Sequence, residues 1–168
     1  MSTAQGDLSL LNDPVAQRLL QAPIPAQLAY TWTDGTPRVV PIWFHWDGRQ
    51  FVLAGPPTAP KMKALGDGTK VALTINTNEF PYKALYVRGS VSVSRAAEVV
   101  PEYVVAAKRM LGEEGSAGWL AQVEPMIPTM GGMARLAVTP EWVAIIDFEQ
   151  RFPSAIEKAI ATATAGAR

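Results

Sequence analysis

The stretch Thr36–Ile75, TPRVVPIWFHWDGRQFVLAGPPTAPKMKALGDGTKVALTI, decides the fold of this 168-residue chain. Two apolar runs, Arg38 to Trp46 and Gln50 to Ala54, meet at Asp47-Gly48, a dipeptide suited to the positive φ angles of tight hairpin turns. Gly55-Pro56-Pro57 ends the second run, Thr58 to Leu65 reads as a short helix closed by Gly66, and Lys70 opens a third strand. In the first run Val40, Ile42, Phe44 and Trp46 lie on one side, with Val39, Pro41, Trp43 and His45 on the other. Neither side suits water. One must fill a barrel core, and the other needs a cofactor, a helix or a second subunit over it. Pro41 has no N–H to donate, so a bulge or a break in pairing is predicted there.

Working outward, Asp13-Pro14 has the form of a helix start, with Leu11, Val15, Leu19 and Leu20 at helical spacing. Residues 1–12 are small and polar, and fraying is expected. Pro23 and Pro25 stop the helix, and Gln27 to Thr33 forms a strand that turns at Asp34-Gly35. Val71, Leu73 and Ile75 alternate with Ala72, Thr74 and Asn76. Leu85, Val87, Gly89, Val91 and Val93 alternate with Tyr86, Arg88, Ser90, Ser92 and Ser94. Both patterns predict half-buried antiparallel strands. The period changes to that of a helix over Val100 to Leu111, with a further turn or two over Gly115 to Val123. Met133 to Asp147 returns to strand, and Pro153 to Ala161 ends the chain as a helix within residues 153–168. About six short strands, tight turns and late helices predict a mainly β (α+β) single domain over residues 1–168, a small antiparallel barrel rather than a doubly wound sheet.

Composition removes several functions. Lys+Arg and Asp+Glu balance at 15 each, so the chain lacks the cationic field that drives nucleic-acid binding. No cysteine is present, which excludes disulfides, thiolate metal sites and cysteine nucleophiles, and no metal site is predicted. No segment reaches the ~18 apolar residues of a membrane span, and no basic, apolar leader opens the chain, so a cytoplasmic location is expected. Ser90, Ser92 and Ser94 lack an accompanying base, which argues against a hydrolase. Gly131-Gly132 lacks the spacing of a dinucleotide fingerprint. His45, the only histidine, reads as a hydrogen-bonded strand residue, with haem ligation as its sharper alternative.

Gly35 to Phe44, Lys61-Met62-Lys63-Ala64-Leu65 before Val71 to Thr74, Val87-Arg88-Gly89-Ser90-Val91, and Glu141-Trp142-Val143 occur in an order that resembles the pyridoxamine 5′-phosphate oxidase-like family. The resemblance covers about Ile24 to Asp147 and implies a six-stranded antiparallel split β-barrel with flanking helices. It also implies a homodimer with FMN held between subunits, or in one branch the deazaflavin coenzyme F-420. Val39, Val40, Pro41, Ile42 and Trp43, with Leu53, Ala54 and Gly55, would line the flavin ring. Thr58, Lys61 and Lys63 would hold the phosphate, which agrees with the affinity of helix N-termini and Lys for anions. Arg38, Arg88 and Trp142 would complete the site, and Lys83 would join Lys61 and Lys63 for the longer F-420 tail. The chain lacks the Arg-rich closing segment of the true pyridoxamine phosphate oxidases, which speaks against vitamin B6 oxidation itself. The expected activity is transfer of hydride or electrons to a small-molecule acceptor. A non-catalytic flavin or haem carrier is the alternative of another class.

Overall fold

The computed structural model describes residues 3–149 and 154–166. Seven strands form one antiparallel sheet: β1 (Ala26–Thr31), β2 (Pro37–Ile42), β3 (Phe44–Trp46), β4 (Phe51–Gly55), β5 (Lys70–Asn76), β6 (Lys83–Ala96) and β7 (Met133–Asp147). Their order is β2-β1-β5-β6-β7-β4-β3. The edge strands β2 and β3 are separated in sequence by Trp43 alone, so the two edges of the sheet meet and the sheet curls into a barrel split at that residue.

The run expected as one strand from Arg38 to Trp46 is therefore two, and the strand count rises from six to seven. Pro41 stays in register opposite Gln27, because an edge strand leaves its outward positions free of a ladder partner. The break comes two residues later, where the chain exchanges β1 for β4 as its partner.

The inward side of this run fills the core as expected. Phe44 is fully buried beside Phe51, and Val40, Ile42 and Trp46 pack against the same core. Burial of rings such as Phe44 and Phe51 stabilises the fold by about 1.5–3 kcal/mol each. Val71, Leu73 and Ile75 of β5 and Leu85, Val87 and Val91 of β6 line the barrel interior as their alternation predicts.

Three helices flank the sheet: α1 (Pro14–Gln21), α2 (Pro101–Val123) and α3 (Ser154–Gly166). Asp13 caps α1 by accepting from the Val15 N–H at 2.8 Å, and Ala16, Leu19 and Leu20 close one mouth of the barrel. The predicted start of the last helix at Pro153 lies outside the described residues. Gly112 (φ 74) folds α2 into two arms, a conformation a side chain would resist. Arg109, on the first arm, donates to the Leu20 carbonyl at 2.9 Å and lies 4.0 Å from the Phe44 ring centroid. Burial lowers its pKa to about 10, so the guanidinium stays charged at neutral pH and ties α2 to α1.

Residues 5–12 do not fray. Gln5 makes paired hydrogen bonds with the Ile145 backbone, Gly6 donates to the Val143 carbonyl at 2.7 Å, and a 3-10 turn at Leu8–Asn12 buries Leu10 and Leu11. Two leucines among polar neighbours are enough to dock the segment, since each removes a large apolar surface from water.

The longest pairing, β6 with β7, carries a register shift between Arg88 and Gly89. A Cβ on Gly89 would collide with the Thr139 carbonyl oxygen, so only glycine fits at this bulge. Gly89→Ala is expected to lower stability by about 2–3 kcal/mol, measured by urea denaturation; an unchanged midpoint would show that the bulge has slack.

Candidate functional site

Trp43, at the split, faces away from the core and is covered by both arms of α2. Its ring stacks on Tyr103 at 5.8 Å and lies 5.8 Å from Trp119, and the Trp119 indole donates to the Tyr103 hydroxyl at 2.8 Å. The break at Gly112 makes this possible, because it turns the second arm back toward the first. Pro25, Pro41, Ile42, Trp43, Ala54 and Tyr103 together line a groove of about 320 Å³, at the lower end of the range for small-molecule sites.

Gly55 follows Ala54 at the end of β4, and the Lys61 ammonium lies over it: a Cβ on Gly55 would stand 3.8 Å from Lys61 Nζ. Lys61 is partly buried, and desolvation pushes its pKa below the usual lysine value. No carboxylate among the described residues pairs with it. A desolvated cation without a carboxylate partner has hydrogen-bond donors free for an anion.

The segment that carries Lys61 departs from expectation. In place of a helix from Thr58 to Leu65 there is a 3-10 turn at Pro60–Lys63, too short to carry the dipole argument for phosphate binding. Pro60 opens the turn, at a position where a missing N–H costs nothing. Thr58 and Lys63 are exposed on this turn, so any phosphate contact there falls to side chains and first of all to Lys61.

Val39, Arg88 and Trp142 lie on the outer face of the sheet. Val39, Ala29, Ala72, Arg88 and Trp142 stand opposite one another in sequence across β2, β1, β5, β6 and β7. Directly opposed residues share a face, so this row is a shallow platform with alanines at its centre. A groove of about 470 Å³ lies over it, and Val39 is 62% exposed. The Arg88 guanidinium sits 4.1 Å from the Trp142 ring centroid. Lys70 pairs with Glu141 at 2.7 Å, and the Ser90 hydroxyl donates to the same carboxylate. Arg38 leans toward Asp34, 3.9 Å away, and Trp32.

Within one chain the expected residues thus fall into two groups. Pro41, Ile42, Trp43, Ala54, Gly55 and Lys61 gather at the split, whereas Val39, Arg88 and Trp142 belong to the platform and Arg38 borders the groove over it. Val40 packs against the core. Lys83 lies elsewhere, opposite Asp147 at the end of β7 remote from Ala134 and Gly55, and pairs with Glu149 at 2.8 Å. Tyr103 and Trp119 were not foreseen as site residues. The available signal was Gly112, a breaker in an otherwise helical segment.

A barrel split at Trp43 with flanking helices defines the class: a split β-barrel. A family model described as pyridoxamine 5′-phosphate oxidase matches residues 13–147, and the chain belongs to that family. An F-420 reductase structure is similar at 24% identity and TM-score 0.60, covering 76% of this chain and 94% of the other. An FAD and haem binding protein from Mycobacterium smegmatis is similar at 20% identity and TM-score 0.58, covering 93% and 78%. The haem storage protein HutZ from Vibrio cholerae is similar at 14% identity and TM-score 0.52, covering 80% and 93%. At these identities the likeness establishes the fold alone. No curated protein matches the chain. No described helix is long and apolar enough to cross a membrane, and no described cluster of His, Asp or Glu has the grouping of a metal site.

One ion pair ties the start of α2, beside Tyr103, to the sheet. Arg135 on β7 donates to Glu102 at 2.6 and 3.0 Å, and these hydrogen bonds hold the Glu102 carboxyl below its ordinary 4.5. A lowered folded-state pKa stabilises the docked helix fully above pH 4.5, and the contribution is lost as pH falls through the lowered value. Glu102→Gln is expected to lower the thermal midpoint at neutral pH and flatten its decline on the acid side. An identical acid limb in the variant would show that another carboxylate governs it.

Proposed function

We propose that this chain binds FMN at the split of its barrel and acts as an oxidoreductase, passing hydride or electrons to a small organic acceptor. The observation that carries this reading is the unpaired, desolvated Lys61 ammonium beside the Trp43–Ala54 groove. A flat ring fits among Pro41, Trp43, Ala54 and Tyr103, and a phosphate satisfies Lys61, with Thr58 and Lys63 exposed alongside. When bound, the flavin would supply the redox chemistry, accepting and releasing hydride equivalents at its ring. The chain's own part is to hold the ring edge, exclude water with the Trp43, Tyr103 and Trp119 cluster, and neutralise the phosphate.

The same reading makes the chain a homodimer. The platform of Val39, Ala29, Ala72 and Arg88 is shallow and open, and a single copy separates it from the groove at the split. A second copy covering the platform would bring the Arg88–Trp142 face of one chain against the groove of the other, completing a ring site from both. Deazaflavin F-420 and haem are the competing occupants, in keeping with the F-420 reductase and the haem-binding proteins among the similar structures.

Side-by-side titration of the apoprotein with FMN, F-420 and haem tests the reading. FMN is expected to bind tightest, and failure of all three would remove the cofactor claim. Lys61→Ala is expected to weaken FMN binding by about 1.5–3 kcal/mol, roughly ten- to hundredfold in Kd; an unchanged constant would make Lys61 a surface residue only. Steady-state reduction of the FMN-loaded protein by a nicotinamide donor separates an enzyme from a carrier, and the absence of useful turnover would favour the carrier.

A further inference from the structure

A second groove, remote from the split, lies between the β6–α2 connection and the chain that leaves the C-terminal end of α2. It encloses about 580 Å³ and shares no lining residue with the Trp43–Ala54 groove. Val99, Pro101, Val104, Ile127 and Pro128 make its walls, and Glu98 and Glu124 are its charged residues. Neither carboxylate has a hydrogen bond or ion pair with another described residue. Elsewhere Glu102, Glu113, Glu141 and Glu149 each hold an Arg or Lys. No Lys or Arg lines this groove, so its field is negative and uncompensated.

The floor is preformed. Ile127, which lines the groove, is 2% exposed and belongs to one cluster with Val100, whose N–H donates to Met133 Sδ at 3.5 Å. Gly132 is pressed against the Ala96 carbonyl oxygen so closely that a Cβ has no room, which fixes the loop after Ile127. An apolar groove of this size is large enough for a small ligand. Apolar walls and two unpaired carboxylates together select one chemistry: an organic cation with an apolar body.

We propose that this groove binds a small arylalkyl amine, its hydrocarbon against Val99, Val104 and Ile127 and its ammonium between Glu98 and Glu124. The floor belongs to a small core that also contains Ala54 and packs against Tyr103, so the amine would rest on the same packing that backs the groove at the split. The two grooves share no lining residue, so the amine site does not rest on a flavin at the split.

Calorimetric titration of the apoprotein with 4-phenylbutylamine, 4-phenylbutan-1-ol and 4-phenylbutyrate tests charge selection on one apolar frame. The amine is expected to bind about tenfold tighter than the alcohol, and the carboxylate weakest, as attraction to two carboxylates at the rim requires. The double variant Glu98→Gln/Glu124→Gln, both positions being exposed, should bring the amine to the level of the alcohol. Val104→Trp should weaken all three by filling the cavity. Equal affinity for the three probes, no binding of the amine at millimolar concentration, or self-association that Val104→Trp abolishes would each overturn the proposal.

Discussion

The link Ile42–Trp43–Phe44 joins strands at opposite edges of a seven-stranded sheet. Two residues of extended chain reach about 7 Å, so the edges cannot separate and the sheet must close on itself. Closure sorts every strand into an inner and an outer row. It places Phe44 and Phe51 in the interior with Leu73, Ile75 and Leu85, and it forces Val39, Pro41 and Trp43 outward. The bulge at Gly89 and the great length of β6 and β7 follow from the same demand, because strands that wrap a barrel must bend where a flat ladder would not.

The point that closes the barrel also opens the groove. Pairing lapses at Trp43 as the chain changes partners, leaving an indole outside the core that the first arm of α2 and its returning second arm must cover. Ala54 stands across from it with a small side chain, so the covering is incomplete. Lys61 is brought to the rim by a turn too tight to be an α-helix, where partial burial makes its charge uncomfortable without an anion. Barrel mechanics and ligand chemistry meet in the residues from Pro41 to Lys61.

Much of the fold was legible because it is periodic. β5, β6 and β7 announce themselves by alternation, and β7 was expected over its observed bounds, Met133–Asp147. The split at Trp43 was not legible. An unbroken apolar run has no phase, so nothing in Arg38 to Trp46 marks where one strand ends. Composition misled twice: polar neighbours hid the docking of Leu10 and Leu11, and Lys-Met-Lys beside Ala and Leu suggested a longer helix than the four-residue turn that forms. Trp119 stayed hidden because it lies 76 positions from Trp43, with Gly112 as the only local sign that α2 turns back.

Local chemistry therefore settled which segments are strands, where the Asp-Gly turns fall, which face of each strand is apolar, and that Lys61 stands near the end of β4. These depend on neighbours within a few positions, which a linear pattern records. Tertiary structure alone decided that β2 and β3 are opposite edges, that Trp43 meets Tyr103 and Trp119, and that Arg88 and Trp142 lie on a platform apart from Lys61 within one chain. Such meetings depend on register between strands far apart in sequence, where a shift of one residue exchanges inside for outside.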